Sequence, residues 1–265
     1  MAPIKVVVNG ALGKMGREVV AAVLREPDLK LVGTVDAANT LADRTKLELP
    51  NGSNVPLSSD LAGMLETVRP DVVVDFTIHE VAVQSARTCL KKGASVVIGT
   101  TGFTKDEVSE IDRLARANKV AAVIAPNFAL GAVLMMHLAK IAARYFDYAE
   151  IIELHHEQKI DAPSGTALMT ARLMSEARRK PFERTGGEAA QVSRGDQIGG
   201  ISLHSIRLPG LVAHQEVLLG AVGQTLSIRH DSTSRESFMP GVVLAIREVT
   251  KRTGLVYGLD TLLGL

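Results

Sequence analysis

Five short runs of mostly aliphatic and β-branched residues punctuate the first half of the chain: Lys5–Val8, Leu31–Val35, Val72–Phe76, Ser95–Ile98 and Ala121–Ile124. Between most of them, apolar residues recur at helical spacing, as in Met15, Val19, Val20 and Val23, or Val108, Ile111, Leu114 and Ala115. Strands that are apolar throughout offer no face to water, and amphipathic helices need an apolar surface to cover. The combination predicts an α/β arrangement, a doubly wound parallel sheet covered on both faces. The polar stretch from Ala37 to Asp60, rich in Asn, Ser and Pro, breaks the alternation and reads as a long loop or degenerate crossover.

After Pro126-Asn127 the pattern changes. Leu130–Phe146 has helical spacing, Ile151–Glu157 reads as a strand and Ser164–Lys180 as a helix. A glycine-rich polar stretch, Thr185–Gly200, leads into alternating strands near Ile201–Arg207, Glu216–Gly220 and Thr225–His230. This is a second, α+β unit with a mixed or antiparallel sheet, and 265 residues suffice for two units. A last helix is expected over Arg235–Arg252, with Pro240 in its first turn or kinking it and Gly254 capping its end.

The first strand runs into Gly10-Ala11-Leu12-Gly13-Lys14-Met15-Gly16, a strand, turn and helix start with the pattern G-x-x-G-x-x-G. Gly10 permits the tight turn, Gly13 lets a pyrophosphate approach the backbone, and Gly16 lets helix and strand pack closely. The phosphates would sit on the positive helix N-terminus. Asp36, ending the second strand, is placed to take both ribose hydroxyls of an adenosine. This context predicts a Rossmann-type domain binding NADH and/or NADPH. Ala37 and Ala38 follow Asp36, so no arginine stands ready there for a 2′-phosphate, which favours NADH; Lys14 and Arg44 leave NADPH open. Three further loops end strands of the same sheet: Asp75-Phe76-Thr77, Gly99-Thr100-Thr101-Gly102 and Ala125-Pro126-Asn127-Phe128. Ligands of such sheets bind at the carboxyl ends of the strands, so these loops are expected around the nicotinamide.

Residues 153–167, ELHHEQKIDAPSGTA, concentrate a different chemistry. If extended, the chain directs His155, Glu157 and Lys159 to one face and His156 to the other; a bend after Glu157 lets both histidines border one pocket. Histidine exchanges protons near neutrality, and Lys159 can donate a proton or hold a carboxylate. The N–H groups of Gly165 and Thr166, at a helix start, can hold a second carboxylate. Zinc is disfavoured, because no His-Glu-x-x-His or cysteine cluster occurs and adjacent histidines on a strand diverge. A Ser164 nucleophile is disfavoured too, since Pro163-Ser164-Gly165 is better explained as a helix cap. Among the other histidines, His137 is expected in the core, and His204 and His230 in structural strand positions. His79 is placed near the cofactor or in solvent, and His214 in a loop as an outlying candidate.

Cys89 is the only cysteine, which excludes an intrachain disulfide and fits a reducing compartment; it reads as an apolar filler on a helix. A net charge of +1 and the short basic run Arg178-Arg179-Lys180 give no footing for nucleic acid. No signal-peptide core and no long apolar run occur, so a cytoplasmic protein without membrane spans is expected.

On Val8 to Gly16, Asp75-Phe76-Thr77, Gly99-Thr100-Thr101-Gly102, Ala125-Pro126-Asn127-Phe128 and above all Glu153 to Ala167, the chain resembles the 4-hydroxy-tetrahydrodipicolinate reductase family. This family, long called dihydrodipicolinate reductase, serves the diaminopimelate–lysine pathway, and the resemblance covers essentially the full length. It implies a dinucleotide-binding domain over residues 1–128, to which a C-terminal helix in 235–265 returns. It also implies a substrate domain over 129–234 and a homotetramer. His155 would be the general acid/base and Lys159 the proton donor. His156, Gly165, Thr166 and Thr101 would contact a cyclic dicarboxylate. Gly10 to Met15, Asp36, Gly99 to Thr101 and Ala125 to Phe128 would contact the cofactor. Ala37 stands where members often carry Arg or Lys, and Ala129 where many carry Ser. Two rival readings fit the residues less well. A dehydrogenase of the aspartate-semialdehyde type needs a thiol in a loop, whereas Cys89 falls in a predicted helix. A dinucleotide-sensing regulator would want a DNA-binding helix-turn-helix or a basic face.

Overall fold

Valines buried on both faces make Ile4–Asn9 (β1) the natural centre of a sheet, with Val6, Val7 and Val8 fully enclosed. The computed structural model describes residues 2–37, 44–50, 52–178, 180–183 and 193–265. Ala38, Arg179 and residues 185–192 of the glycine-rich stretch lie outside the described residues. The chain divides into two compact units, residues 1–128 with 238–265, and residues 129–237.

In the first unit β1 leads through helix α1 (Lys14–Arg25) to β2 (Leu29–Val35). Then come β3 (Lys46–Glu48), β4 (Asn54–Ser58), α2 (Leu61–Val68), β5 (Val72–Asp75), α3 (His79–Lys91), β6 (Ser95–Ile98), α4 (Lys105–Ala117) and β7 (Ala121–Ile124). The C-terminal segment adds α7 (Met239–Val249), β13 (Gly254–Tyr257) and α8 (Leu259–Leu263). The sheet order is β13-β7-β6-β5-β1-β2-β4-β3, parallel except for the β3–β4 pair. This is the doubly wound, Rossmann-type sheet expected. Its order reverses at β1, where β2 lies on one side and β5 on the other, which opens the ligand crevice at the carboxyl ends.

Residues 37–60 are not simply a long loop: β3 and β4 form a short antiparallel pair, and β4 extends the sheet by pairing Leu57 with Thr34. Val55 and Leu57 turn inward while Asn54 and Pro56 face out, a period too short to stand out in a polar composition. Nor does Gly254 cap the last helix. That helix ends at Val249, and Gly254, at φ +90°, opens β13 by donating its N–H to Val120 O at 3.0 Å. Pro240 does lie in the first turn of α7, after a 3-10 turn at Arg235–Phe238. Arg247 fastens α7 by pairing with Asp28 and Glu26, both at 2.6 Å.

The second unit contains α5 (Leu130–Ala142), β8 (Tyr148–His155), α6 (Gly165–Glu176), β9 (Asp196–Ile198), β10 (Ile201–Arg207), β11 (Ala213–Ala221) and β12 (Gln224–Ser232). The predicted helix Leu130–Phe146 passes into a 3-10 turn at Ala143–Tyr145, and the helix expected to Lys180 ends at Glu176. The sheet order is β12-β11-β8-β10-β9, mixed because β8 and β10 run parallel while the other pairs are antiparallel. Ala149, Ile151, Val217, Leu219, Ile201 and Leu203 enclose a core with Met135, Ala139, Ala171 and Met174 of the helices. Alternation along β8 also turns Glu153 toward that helix-covered face, where it is wholly buried.

Candidate active site

Gly10 takes φ +79°, the left-handed region open to glycine, and brings the chain off β1 beneath the loop that follows β5. A Cβ at Gly16 would lie 1.9 Å from Gly10 O, so only glycine lets α1 start this close to the turn. Gly13 is the N-cap of α1 and supplies no side-chain cap, which leaves the first-turn N–H groups of Lys14 and Met15 to a ligand. This is a cradle shaped for a pyrophosphate. The carboxylate of Asp36 borders it, accepting from Leu12 N–H at 2.6 Å and from Ala37 N–H at 2.8 Å. Lys14 is exposed at the helix start, and so is Arg17, whose Nε donates to Leu12 O at 2.9 Å.

The loops after β5, β6 and β7 stand at the same end of the sheet. Asn9 Nδ2 donates to the buried Asp75 carboxylate at 2.7 Å, and Thr77 donates to it through N–H and Oγ1. Thr100 Oγ1 then donates to Thr77 O at 2.8 Å, linking the Gly99–Gly102 loop to the β5 loop. Gly99 lies against the Phe76 ring, where a Cβ would come within 2.1 Å, and Phe76 in turn packs on Phe128 at 5.7 Å between centroids. Thr101 is exposed on this loop, Ala125 and Phe128 are buried, and Pro126 and Asn127 face outward to different degrees. The predicted cofactor residues of Gly10–Met15, Asp36, Gly99–Thr101 and Ala125–Phe128 all belong to the first unit.

The central stretch belongs to the second. The strand expected over Ile151–Glu157 ends at His155, and Lys159 N–H donates to His156 O at 3.1 Å, closing a turn. The chain therefore bends two residues earlier than the strand reading required. Lys159 Nζ lies 2.7 Å from Asp161 Oδ1. Ser164 caps α6, its Oγ accepting from Ala167 N–H at 3.2 Å, and its own carbonyl accepts from Leu168 N–H. Gly165 and Thr166 N–H are the first-turn donors that this cap leaves open, and donors of this kind can hold an anion.

Three residues that sequence reasoning did not assign hold this constellation together. Glu153 Oε2 lies 2.5 Å from His155 Nδ1, and Arg207 clamps both carboxylate oxygens at 2.7 and 2.9 Å. Asp161 pairs with Lys159 and offers its carbonyl to Arg207 at 2.7 Å. The E-x-H spacing on a strand was the available signal for Glu153, since residues two apart share a face. Arg207, arriving from β10 beside His155, left no local sign.

Burial alone would push the Glu153 carboxyl up, but hydrogen bonds from His155, Arg207 and Ser205 outweigh it and hold the group at about 2, against an ordinary 4.5. Because the folded-state value is the lower one, the stabilisation is fully present above pH 4.5 and disappears as pH falls toward 2. Its size is roughly 3 kcal/mol. Denaturant midpoints measured between pH 6 and pH 2.5 should therefore fall more steeply for the natural chain than for Glu153→Gln. Parallel slopes would contradict this assignment.

The other histidines sort differently. His137 is half-buried rather than in the core. His214 lies on β11, not in a loop, with Nε2 accepting from Val212 N–H and Nδ1 on Asp231 Oδ1 at 2.6 Å. His204 on β10 pairs with Glu150 at 2.8 Å. His230 on β12 packs against Gly131 of α5, and burial lowers its pKa, with Asp231 opposing and His214 assisting. His79 opens α3, its Nε2 3.1 Å from Glu107, which closes the capping box of α4 with Thr104. Cys89 is buried inside α3, and burial pushes its thiol up, away from nucleophilic use. No described helix is long and apolar enough to cross a membrane.

A Rossmann-type unit with a glycine-rich turn, followed in the same chain by a second unit that carries the His155–Glu153–Arg207 and Lys159–Asp161 pairs, is the frame of a nucleotide-dependent oxidoreductase. Models of the N- and C-terminal parts of dihydrodipicolinate reductase match residues 4–128 and 131–263. The chain is 50% identical over 266 aligned residues to a 4-hydroxy-tetrahydrodipicolinate reductase of Dehalococcoides mccartyi, covering 100% of both. It is 50% identical to that of Moorella thermoacetica, covering 99% of both. A dipicolinate-bound dihydrodipicolinate reductase from Paenisporosarcina sp. TG-14 superposes with a TM-score of 0.88 at 41% identity, over 98% of this chain and 99% of that one. The chain belongs to the dihydrodipicolinate reductase family. It is an NAD(P)H-dependent oxidoreductase whose N-terminal Rossmann unit is the nucleotide-binding domain.

Proposed function

We propose that this chain reduces 4-hydroxy-tetrahydrodipicolinate to tetrahydrodipicolinate with loss of water, in the cytoplasm, for lysine biosynthesis through diaminopimelate. The observation that carries the reading is the pairing of His155 with the buried Glu153 beside the Lys159 turn and the open start of α6. The dipicolinate held by the Paenisporosarcina relative is a planar analogue of such a cyclic dicarboxylate.

NADH or NADPH, held by Gly10 to Met15 with Asp36 and the loops at Gly99–Thr101 and Ala125–Phe128, supplies a hydride. Loss of the 4-hydroxyl with a ring hydrogen conjugates the substrate's imine to a carbon–carbon double bond. Hydride addition at C4 then drives electrons toward the ring nitrogen, and the resulting enamine anion takes a proton at C5. His155 and Lys159 stabilise that charge and provide the proton. Gly165 and Thr166 N–H hold one carboxylate at the helix start, and His156 contacts the substrate. Among the described residues, the helices of the second unit cover one face of its sheet only, leaving Ile152, Leu154, Ile206 and Leu218 half-buried on the other. That open face supports a homotetramer.

The purified protein should oxidise NADH when given the condensation product of pyruvate and aspartate semialdehyde. Failure with both NADH and NADPH would reject the reading in favour of a nucleotide sensor. With Ala37 exposed beside the Asp36 carboxylate, nothing at that position rewards a 2′-phosphate. NADH is therefore expected to give a kcat/KM at least equal to that of NADPH. A tenfold or greater advantage for NADPH, about 1.4 kcal/mol, would show that another cation reads the phosphate.

A further inference from the structure

Glu153 is a wholly buried carboxylate at the meeting point of every part of the second unit's cluster. Its Oε2 lies on His155 Nδ1, its Oε1 accepts from Ser164 N–H at 3.2 Å, and Arg207 bridges both oxygens. The same guanidinium donates to Asp161 O at 2.7 Å. One ion pair thus touches the imidazole, the turn that carries Lys159, and the residue that starts α6.

We infer that Glu153 is a positioning residue for the reaction, acting through His155 by fixing which ring nitrogen carries the hydrogen, with Arg207 holding the carboxylate in place. The inference rests on the proposed role of His155. An ionised carboxylate only accepts hydrogen bonds, so the 2.5 Å contact requires the hydrogen on Nδ1. Nε2 is then the nitrogen that receives and returns a proton, and its direction is set by the bond on the other side of the ring. A carboxylate of this kind does not meet the substrate. Its work is to keep one tautomer and one ring orientation while Ser164 N–H and Asp161 O keep the anion-holding helix start and the lysine turn in register with the ring.

The test joins a measurement on the resting protein to one on turnover. In the ¹⁵N-histidine protein at neutral pH, with the signal assigned through His155→Asn, the neutral His155 ring should show the Nδ1–H form. In Glu153→Gln, whose amide can donate as well as accept, the signal should move toward Nε2–H. With the cyclic substrate, kcat should fall on the order of 10²-fold or more, while the affinity for NADH is retained. An Nε2–H ring in the natural protein overturns the inference even if the variant fails to fold. So does a folded Glu153→Gln with unchanged tautomer or near-natural kcat. If the Nδ1–H form is found but the natural protein oxidises neither cofactor with the substrate, the proposed reaction falls while the Glu153–His155 pairing stands.

Discussion

Lys159→Ala is expected to lower kcat with the cyclic substrate by roughly 10²- to 10⁴-fold, the usual span for a lost general acid, with NADH affinity within a factor of about two. Two features separate these effects. The nucleotide cradle lies entirely in the first unit, and Lys159 lies in the second. The turn that carries Lys159 is held by backbone atoms and by Arg207 on Asp161 O, so truncating the side chain leaves its frame intact. What disappears is an ammonium 2.7 Å from Asp161 Oδ1, within a cluster whose other cationic group, Arg207, is already committed to Glu153. Lys159→Arg refines the point. A guanidinium keeps the charge yet yields its proton far less readily, so KM should recover more than kcat. Steady-state turnover and NADH fluorescence titration measure both quantities. Near-natural kcat in Lys159→Ala would remove the lysine from the mechanism.

How far such a site is legible in sequence depends on how local its determinants are. The parallel strands announced themselves because burial on both faces leaves an unbroken apolar run, and the glycine turn because three glycines, a strand and a helix start fall within a dozen residues. The β3–β4 pair was hidden because only Val55 and Leu57 turn inward among polar neighbours. Strand β13 was hidden because four residues beginning with a glycine resemble a helix end until Val120 and Asp112 are seen to receive them. In the second unit, His155, Lys159, Gly165 and Thr166 stand out as candidates by their types and spacing. Their supports were not. Glu153 reaches its full meaning only when the register of β8 and β10 brings Arg207 alongside, 54 residues further on.

The other large effect is expected at Gly16, where geometry allows no compromise. A Cβ there would lie 1.9 Å from Gly10 O, 2.7 Å from Gly10 C and 2.8 Å from Ala11 Cα, all backbone atoms that cannot swing aside. Gly16→Val must push α1 away from the turn. That movement spoils the packing of Val19, Val20 and Val23 and carries the Lys14 and Met15 N–H groups out of the cradle together. Overpacking commonly costs 1–3 kcal/mol, and a clash with rigid backbone belongs at the upper end, so a loss of about 3 kcal/mol and a melting midpoint lower by roughly 10 °C are expected. NADH binding should fall below detection even where the variant remains folded. Gly165→Ala is the matched contrast, because its Cβ meets nothing within 4 Å and its φ is not positive. It should melt with the natural protein and bind NADH normally, so that any change it brings is confined to the substrate. Calorimetry and NADH titration on the two variants decide the matter. A Gly16→Val protein that binds NADH with natural affinity would mean that the nucleotide lies somewhere other than on this turn.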